Sequence, residues 1–273
     1  MTTLARVRAP ATTANLGPGF DCAAVALDLW NELEVSEGEG EVDRDHLGVR
    51  AFAQIARVEG KRFSFTDRIP RERGLGSSAA VVALGLVAAS VIEGSDASPE
   101  QLLAAGVDFE GHSDNLAAAL AGGVCLTWNS RIARIADRMP AAAIALVPDS
   151  TVSTAAARAA LPLDVPHADA AYTATRAALL GAALASGSTE LFAEALDDRL
   201  HEPYRAAGAP LLEAVRKQPP VGAVGATLSG SGPTVIVWAH PDAAPACADE
   251  LSKRHSDVRV LPLAVSPRGA HTL

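Results

Sequence analysis

The segment Pro70-Arg71-Glu72-Arg73-Gly74-Leu75-Gly76-Ser77-Ser78-Ala79-Ala80 decides how the rest of the chain is read. It is a glycine-rich loop leading directly into an uncharged run, residues 78–92, whose many small apolar residues predict a buried helix. Gly74 and Gly76 permit positive φ and close backbone approach, and Ser77 and Ser78 supply hydroxyls. The first-turn N–H groups of the helix point at whatever the loop holds, which suits a nucleotide phosphate chain. A side chain at Gly76 is expected to fill the space the phosphates need. Read alone, the loop also suits an ordinary glycine-serine helix cap. A Walker A loop is excluded, because it needs Gly-Lys-Ser/Thr and the only lysines are Lys61, Lys217 and Lys253. A dinucleotide fingerprint is excluded too, since Gly74-Leu75-Gly76 is followed by Ser-Ser-Ala and the third glycine is missing.

On the N-terminal side of this loop, residues 25–35 alternate as a strand, residues 47–58 carry apolar residues at helical spacing, and residues 62–69 alternate as a short strand. On the other side, Ser98-Pro99-Glu100 predicts the cap and first turn of a second helix. Further along come a buried strand at 141–147, a short helix at 154–160, and helices at 172–185 and 189–200. The last third predicts strands at 223–228 and 234–239, a helix at 243–254 and a strand at 258–265. Hairpin-like strand pairs among helices favour an α+β fold over a strictly alternating parallel sheet. The chain of 273 residues is long enough for one large domain or two small ones, and the boundary falls near 140–150, giving domains 1–140 and 141–273.

Three further segments carry polar residues in patterns that suit chemistry. Glu110-Gly111-His112-Ser113-Asp114-Asn115 enters an Ala/Gly-rich stretch, where four polar side chains would be costly to bury without partners. A carboxylate such as Glu110 beside a phosphate loop suits Mg²⁺, which takes one or two protein oxygens and fills its shell with phosphate and water. The other reading is a polar loop with Asp114 or Asn115 as a helix N-cap. Ser229-Gly230-Ser231-Gly232-Pro233 lies between two strands, and its small residues permit tight packing against a ligand or another loop, or make a plain hairpin turn. Asn15-Leu16-Gly17-Pro18-Gly19-Phe20-Asp21 puts a polar pair around a Gly/Pro turn, or forms an Asx turn. Arg158 and Arg205 are carboxylate clamps or surface residues.

Composition narrows the class. Hydrophobic residues make up 49%, charged residues 20% and aromatic residues 4%, so a globular interior must be built mainly from Ala, Val and Leu. Twenty-three basic residues against 32 acidic ones give a net charge of −9, so no nucleic-acid or anionic-membrane partner is expected. Cys22, Cys125 and Cys247 form no CxxC or Cys/His pattern, which predicts neither disulfides nor zinc. Residues 79–92 fall short of the ~18 apolar residues of a membrane span. The start MTTLARVRAP has no apolar run after its arginines, so no signal peptide is expected and the cytoplasm is the default.

In order, Asn-x-Gly-x-Gly-Phe-Asp, Pro-x3-Gly-Leu-Gly-Ser-Ser-Ala, Glu-Gly-His-x-Asp-Asn and Ser-Gly-x-Gly-Pro resemble the GHMP kinase superfamily. Within it, VRAPATTANLGPGFD (residues 7–21) and EGHSDN (residues 110–115) resemble the homoserine kinase family, whereas the GLGSSA loop is common to the superfamily. Val152-Ser153-Thr154 with Arg158, and Glu202-Pro203-Tyr204-Arg205, resemble that family too, so the matches extend over residues 7–238.

The resemblance implies a two-domain α+β GHMP kinase fold, with an N-terminal domain like ribosomal protein S5 domain 2 and a ferredoxin-like C-terminal domain. It implies transfer of the ATP γ-phosphate to the side-chain hydroxyl of L-homoserine, a step toward threonine, and a homodimer. Pro70, Arg73, Gly74, Leu75, Gly76, Ser77, Ser78, Ala79 and Ala80 would bind ATP, with Ser78 and Glu110 on Mg²⁺. Asn15, Asp21, His112, Asp114, Asn115, Thr154, Arg158 and Arg205 would surround homoserine, carboxylates for its ammonium and arginines for its carboxylate. Mevalonate-type relatives offer an Asp base with a Lys nearby, but the matching position here holds Asn115. Phosphoryl transfer depends more on positioning than on deprotonation, so Asn15 and Asn115 are given orienting roles, Glu110 a metal role, and no base is named. The chain is short for this family between residues 35 and 62, and His46-Leu47 stands where relatives have Asn-Leu/Val, so no adenine contact is assigned. Another small-molecule kinase of the superfamily, an inactive nucleotide-binding relative and an interaction module remain as alternatives.

Overall fold

In the computed structural model, which describes residues 2–273, strands β1 (Thr3–Asn15) and β2 (Gly19–Glu37) form a long antiparallel hairpin. Their register shifts between Pro10 and Ala11, where the strand carries a residue with no N–H to give the ladder. The turn is tight: Asn15, Leu16 and Gly17 all have positive φ (73°, 48° and 78°). Leu16 is held in this disfavoured region by complete burial of its side chain.

The chain continues through α1 (Leu47–Phe52), β3 (Lys61–Thr66), α2 (Ser77–Ile92), α3 (Pro99–Glu110), α4 (Asp114–Ala121), β4 (Val124–Trp128) and β5 (Arg131–Ala136). The second half contains β6 (Ala142–Val147), α5 (Thr154–Ala159), α6 (His167–Ser186), α7 (Thr189–Ala195), α8 (Glu202–Arg205) and α9 (Pro210–Lys217). It closes with β7 (Ala223–Leu228), β8 (Val235–Ala239), α10 (Ala244–Arg254), β9 (Arg259–Leu263) and β10 (His271–Thr272). The first sheet has the order β10-β1-β2-β4-β5, with β3 also on β2; the second has the order β7-β8-β6-β9. All strand pairs among the described residues are antiparallel, which fits the α+β expectation, and the second sheet has the strand order of a ferredoxin-like unit.

The second sheet is covered on both faces. On β6, Ala143, Ala145 and Val147 join the large core shared with α2, α6 and α7, while Ile144 and Leu146 join the core under α9 and α10. This is why β6 reads as an unbroken apolar run. α2 is buried on nearly every side, and small residues allow its neighbours to come close: a Cβ on Gly85 would sit 2.1 Å from the Gly48 carbonyl oxygen. No helix among the described residues is long and apolar enough to cross a membrane.

Three features differ from the sequence expectation. The helix expected over 47–58 stops at Phe52, because the chain must turn through Gly60 (φ 69°) to lay β3 against Glu32–Glu37. The β4–β5 hairpin falls in a stretch, residues 124–136, for which no strand is expected from the sequence; its two-residue turn, Asn129-Ser130, has positive φ at both positions (46° and 58°). The division at 140/141 leaves out the chain's return: Ser266 N–H bonds the Ala26 carbonyl (2.9 Å), and β10 pairs with β1. The tail covers an edge of the first sheet that would otherwise expose unpaired backbone groups.

Seating this tail demands a residue without a side chain, since a Cβ at Gly269 would lie 2.0 Å from the Leu120 carbonyl oxygen. Gly269→Val should therefore destabilise the protein by about 1–3 kcal/mol. Gly181 is the control: it lies inside α6, and a Cβ added there would meet nothing within 4 Å. Gly181→Ala should stabilise by about 0.5–1 kcal/mol. Urea unfolding of both variants measures the difference, and a Gly269→Val protein as stable as the parent would show that the tail is not held this way.

Candidate active site

A cleft of about 280 Å³ opens where the loop before α2, the starts of α4 and α5, the β1–β2 turn, Arg205 and the Gly230-Ser231 loop converge. α2 begins at Gly76 in the left-handed region (φ 64°) with no side chain capping it, so the first-turn N–H groups are left for a ligand in the cleft. The loop is supported from behind by protein. A Cβ at Gly76 would stand 1.8 Å from Thr12 Oγ1, and one at Gly74 would stand 2.2 Å from the Ser229 carbonyl oxygen. The expectation that a side chain at Gly76 fills the phosphate space is therefore corrected: it strikes β1 behind the loop.

Of the expected nucleotide set, Pro70, Arg73, Gly74, Gly76, Ser77 and Ser78 line the cleft, joined by Glu72. The side chains of Leu75, Ala79 and Ala80 do not; they are buried in the core. Arg73 spends its guanidinium on the carbonyls of Pro148 (3.0 Å), Arg71 (3.0 Å) and Asp149 (2.8 Å), which fastens the loop to the chain after β6.

α3 ends at Glu110, and Gly111 (φ 71°) turns the chain toward α4. This brings the Glu110 carboxylate to Ser78, whose hydroxyl donates to Glu110 Oε1. Burial raises the Glu110 pKa above the usual carboxylate range, with the Ser78 hydrogen bond and His112 opposing. No group of three His, Cys, Asp or Glu side chains among the described residues forms a metal cage of its own. One hydroxyl and one carboxylate beside a phosphate cradle fit Mg²⁺, whose other ligands would be phosphate and water.

The polar segment that follows is closely bonded. Ser113, not Asp114 or Asn115, is the N-cap of α4, and Asp114 occupies the first turn, where the helix dipole favours an acid. Asp114 Oδ1 meets His112 Nδ1 at 2.7 Å and accepts from the Asn115 backbone N–H at 2.7 Å. Burial pulls the His112 pKa down, but the hydrogen bond and charge of Asp114, with Glu110, outweigh it and leave the pKa raised. Asn115 Oδ1 accepts from the Thr12 hydroxyl at 2.6 Å, which fixes the orientation of its amide.

Asn15, Asp21, His112, Asp114, Asn115, Thr154, Arg158 and Arg205 all line the cleft, but the structure changes what several can offer. Asn15 commits both ends of its amide to backbone, donating to the Gly230 carbonyl (2.9 Å) and accepting from the Asp21 N–H (3.1 Å), so it braces the turn. Arg158 makes a two-point ion pair with Asp21 (3.1 and 2.7 Å), which raises its pKa despite partial burial. Arg205 is buried, and burial and the nearby Arg158 charge lower its pKa. Its Nε donates to the Ala157 carbonyl (3.4 Å) and its Nη1 to His201 Nδ1 (3.3 Å) and the Gly230 carbonyl (3.1 Å), leaving Nη2 for a ligand. Both guanidinium groups lie near the Phe20 ring, at 5.7 and 5.3 Å from its centre. Sequence reading missed Thr12, Glu72, Ser153 and His201; two adjacent threonines in the apolar run before Asn15 were the available signal for Thr12.

The GHMP kinases N terminal domain matches residues 46–123, and the GHMP kinases C terminal domain matches residues 180–257. A homoserine kinase from Gloeobacter violaceus is 38% identical over 96% of this chain and 97% of its own length. The chain belongs to the homoserine kinase family of GHMP kinases. A Synechococcus homoserine kinase is 41% identical, covering 88% of this chain and 87% of its own length. The crystal structure of homoserine kinase from Cytophaga hutchinsonii superposes with a TM-score of 0.87 at 23% identity, over 98% of this chain and 97% of that one, which shows the two-domain kinase fold.

Gly76 and Gly111 both have positive φ, at 64° and 71°, but a Cβ at Gly111 meets open space. Gly111→Ala should cost about 1–2 kcal/mol for the left-handed backbone alone. Gly76→Ala should cost about 1–3 kcal/mol more, from the clash with Thr12. Urea unfolding separates the two, and equal losses would contradict the packing of the loop against β1.

Proposed function

We propose that this protein transfers the γ-phosphoryl group of ATP to the side-chain hydroxyl of L-homoserine, giving O-phospho-L-homoserine, in the cytoplasm and on the route to threonine. The observation that carries the reading is the union, in one cleft, of an uncapped helix N-terminus and a set complementary to an amino-acid zwitterion. The N–H groups of Ser77 and Ser78 suit the phosphates. Asp21 and Asp114 suit the ammonium, and Arg158 and Arg205 suit the carboxylate. Relatives named homoserine kinase, matched over nearly their whole length, support the same substrate. We also propose that it acts as a homodimer, as the sequence resemblance implies.

Ser78 and Glu110 would hold Mg²⁺, which supplies charge neutralisation on the phosphates. Asn115, its carbonyl oxygen fixed by Thr12 and one amide N–H given to Asp114 Oδ1 (3.3 Å), keeps its second amide N–H to orient the acceptor hydroxyl. Arg205 Nη2 anchors the far end of the substrate, and the two contacts together set its direction along the cleft. No general base is assigned, because a loose phosphoryl-transfer transition state is served by alignment and charge stabilisation. For the base of the nucleotide we propose a separate cavity of about 370 Å³ walled by Val42, His46, Val49, Phe63 and Phe65. His46 packs over Phe65 with ring centres 4.1 Å apart.

Phosphorus NMR of ATP, Mg²⁺ and homoserine with the protein should show a new phosphomonoester, with mevalonate, galactose and shikimate giving none. Homoserinol, which lacks the carboxylate, should lose roughly 30- to 1,000-fold in kcat/KM, the scale of an unpaired buried arginine. Homoserinol turnover equal to that of homoserine would sink the amino-acid reading of the cleft. Glu110→Gln should lower kcat by about a hundredfold or more with the melting temperature unchanged, since a metal ligand and its charge are lost without loss of core atoms. Near-parental turnover of that folded variant would remove Glu110 from the metal site.

A further inference from the structure

We infer that His201, held as the neutral tautomer with its proton on Nε2, is a positioning residue that fixes the direction from which Arg205 meets the substrate. The inference rests on the reading of Arg205 as the substrate's carboxylate contact. His201 is fully buried at the start of α8, and its spacing of four from Arg205 puts both on one face of the turn. Its Nε2 lies 2.7 Å from the Gly17 carbonyl oxygen, which can only accept, so Nε2 carries the proton. Its Nδ1 lies 3.3 Å from Arg205 Nη1, which can only donate, so Nδ1 presents its lone pair. Two partners of fixed polarity select one tautomer.

The consequence for Arg205 follows from counting donors. A guanidinium has five N–H groups, and here one on Nε and two on Nη1 are taken by Ala157, His201 and Gly230. Without His201, Nη1 regains a free N–H and the planar group can turn about its stem. With it, only Nη2 faces a ligand. The ring is fixed in turn: Phe20 stacks on it (4.9 Å, 21°), and Asp198 accepts the backbone N–H groups of His201 and Glu202, each at 2.8 Å. Glu202 anchors the same turn to the second sheet, accepting from Leu228 N–H (2.8 Å) and Arg216 (2.5 Å). His201 therefore joins the β1–β2 turn at Gly17, just before Asp21 on β2, to Arg205, so that the groups reading opposite ends of the substrate keep a set separation.

The test compares His201→Gln, whose amide keeps one donor and one acceptor, with His201→Leu, which keeps neither, each alone and together with Arg205→Ala. Steady-state kinetics should show His201→Leu raising the homoserine KM about tenfold with the ATP KM within about twofold, and His201→Gln within about threefold of the parent. On the Arg205→Ala background the Leu substitution should change the homoserine KM by less than about twofold, because its partner is already gone. An undiminished effect there, or an equal rise in both KM values, overturns the inference. Nitrogen NMR of the histidine-labelled parent needs no variant: it should find the His201 proton on Nε2, and a proton on Nδ1 overturns the inference even if the Leu variant fails to fold. A parent protein inactive on homoserine overturns the substrate reading beneath it, and the NMR result then decides the tautomer separately.

Discussion

Ser229 Oγ lies 2.7 Å from the Gly74 carbonyl oxygen and 2.9 Å from Thr13 Oγ1, and this buried contact joins the loop before α2 to β1 and to the second sheet. It is possible because Gly74 has no side chain to keep Ser229 away. The next residue extends the junction: the Gly230 carbonyl accepts from both Asn15 (2.9 Å) and Arg205 (3.1 Å). Each such hydrogen bond contributes only about 1 kcal/mol to stability. Their larger effect is on register, because they hold the loop before α2, the β1–β2 turn and α8 at fixed distances around one cleft. The apolar core reinforces this, since residues of β6 and β8 pack in the same cluster as β1 and α2.

A protein of net charge −9 that handles a triphosphate and a carboxylate must do so with local donors. The donors we propose are the backbone N–H groups at the start of α2 and two arginines lining the cleft, and the arginines differ in kind. Arg205 is buried and braced on three sides, so its direction is built into the fold. Arg158 is paired with Asp21 at side-chain exposures of 37% and 38%, where an ion pair contributes at most about 1 kcal/mol. A zwitterion offering an ammonium to Asp21 and a carboxylate to Arg158 can replace that pair at small cost, whereas it must fit itself to Arg205.

The helix-forming loop, the capped start of α3, the buried strand β6 and the motif order are legible in the sequence, because each is set by local spacing or by a run of apolar residues. The side chains of Leu75, Ala79 and Ala80 turn into the core, which the loop motif does not announce, because it names a stretch of chain and only the fold decides which side of it faces the cleft. The role of Gly76 is hidden for a related reason: its close neighbour, Thr12, is more than sixty residues away in sequence. Asn15 and Arg205 are rightly put at the cleft, but the backbone carbonyls that use up their donors carry no sequence signature. The returning tail and the β4–β5 hairpin escape sequence reading because short edge strands depend on pairing partners, not on their own periodicity.

Phosphates and amino acid are expected to meet in the cleft joined by Ser229, with the helix N-terminus on one side and Arg205 on the other. A crystal structure of the protein with Mg²⁺, a non-hydrolysable ATP analogue and homoserine tests this directly. The triphosphate should lie against the Ser77 and Ser78 N–H groups, the homoserine carboxylate on Arg205 Nη2 and the homoserine hydroxyl facing the terminal phosphate. A triphosphate bound away from the start of α2, or a carboxylate that leaves Arg205 untouched, would contradict it.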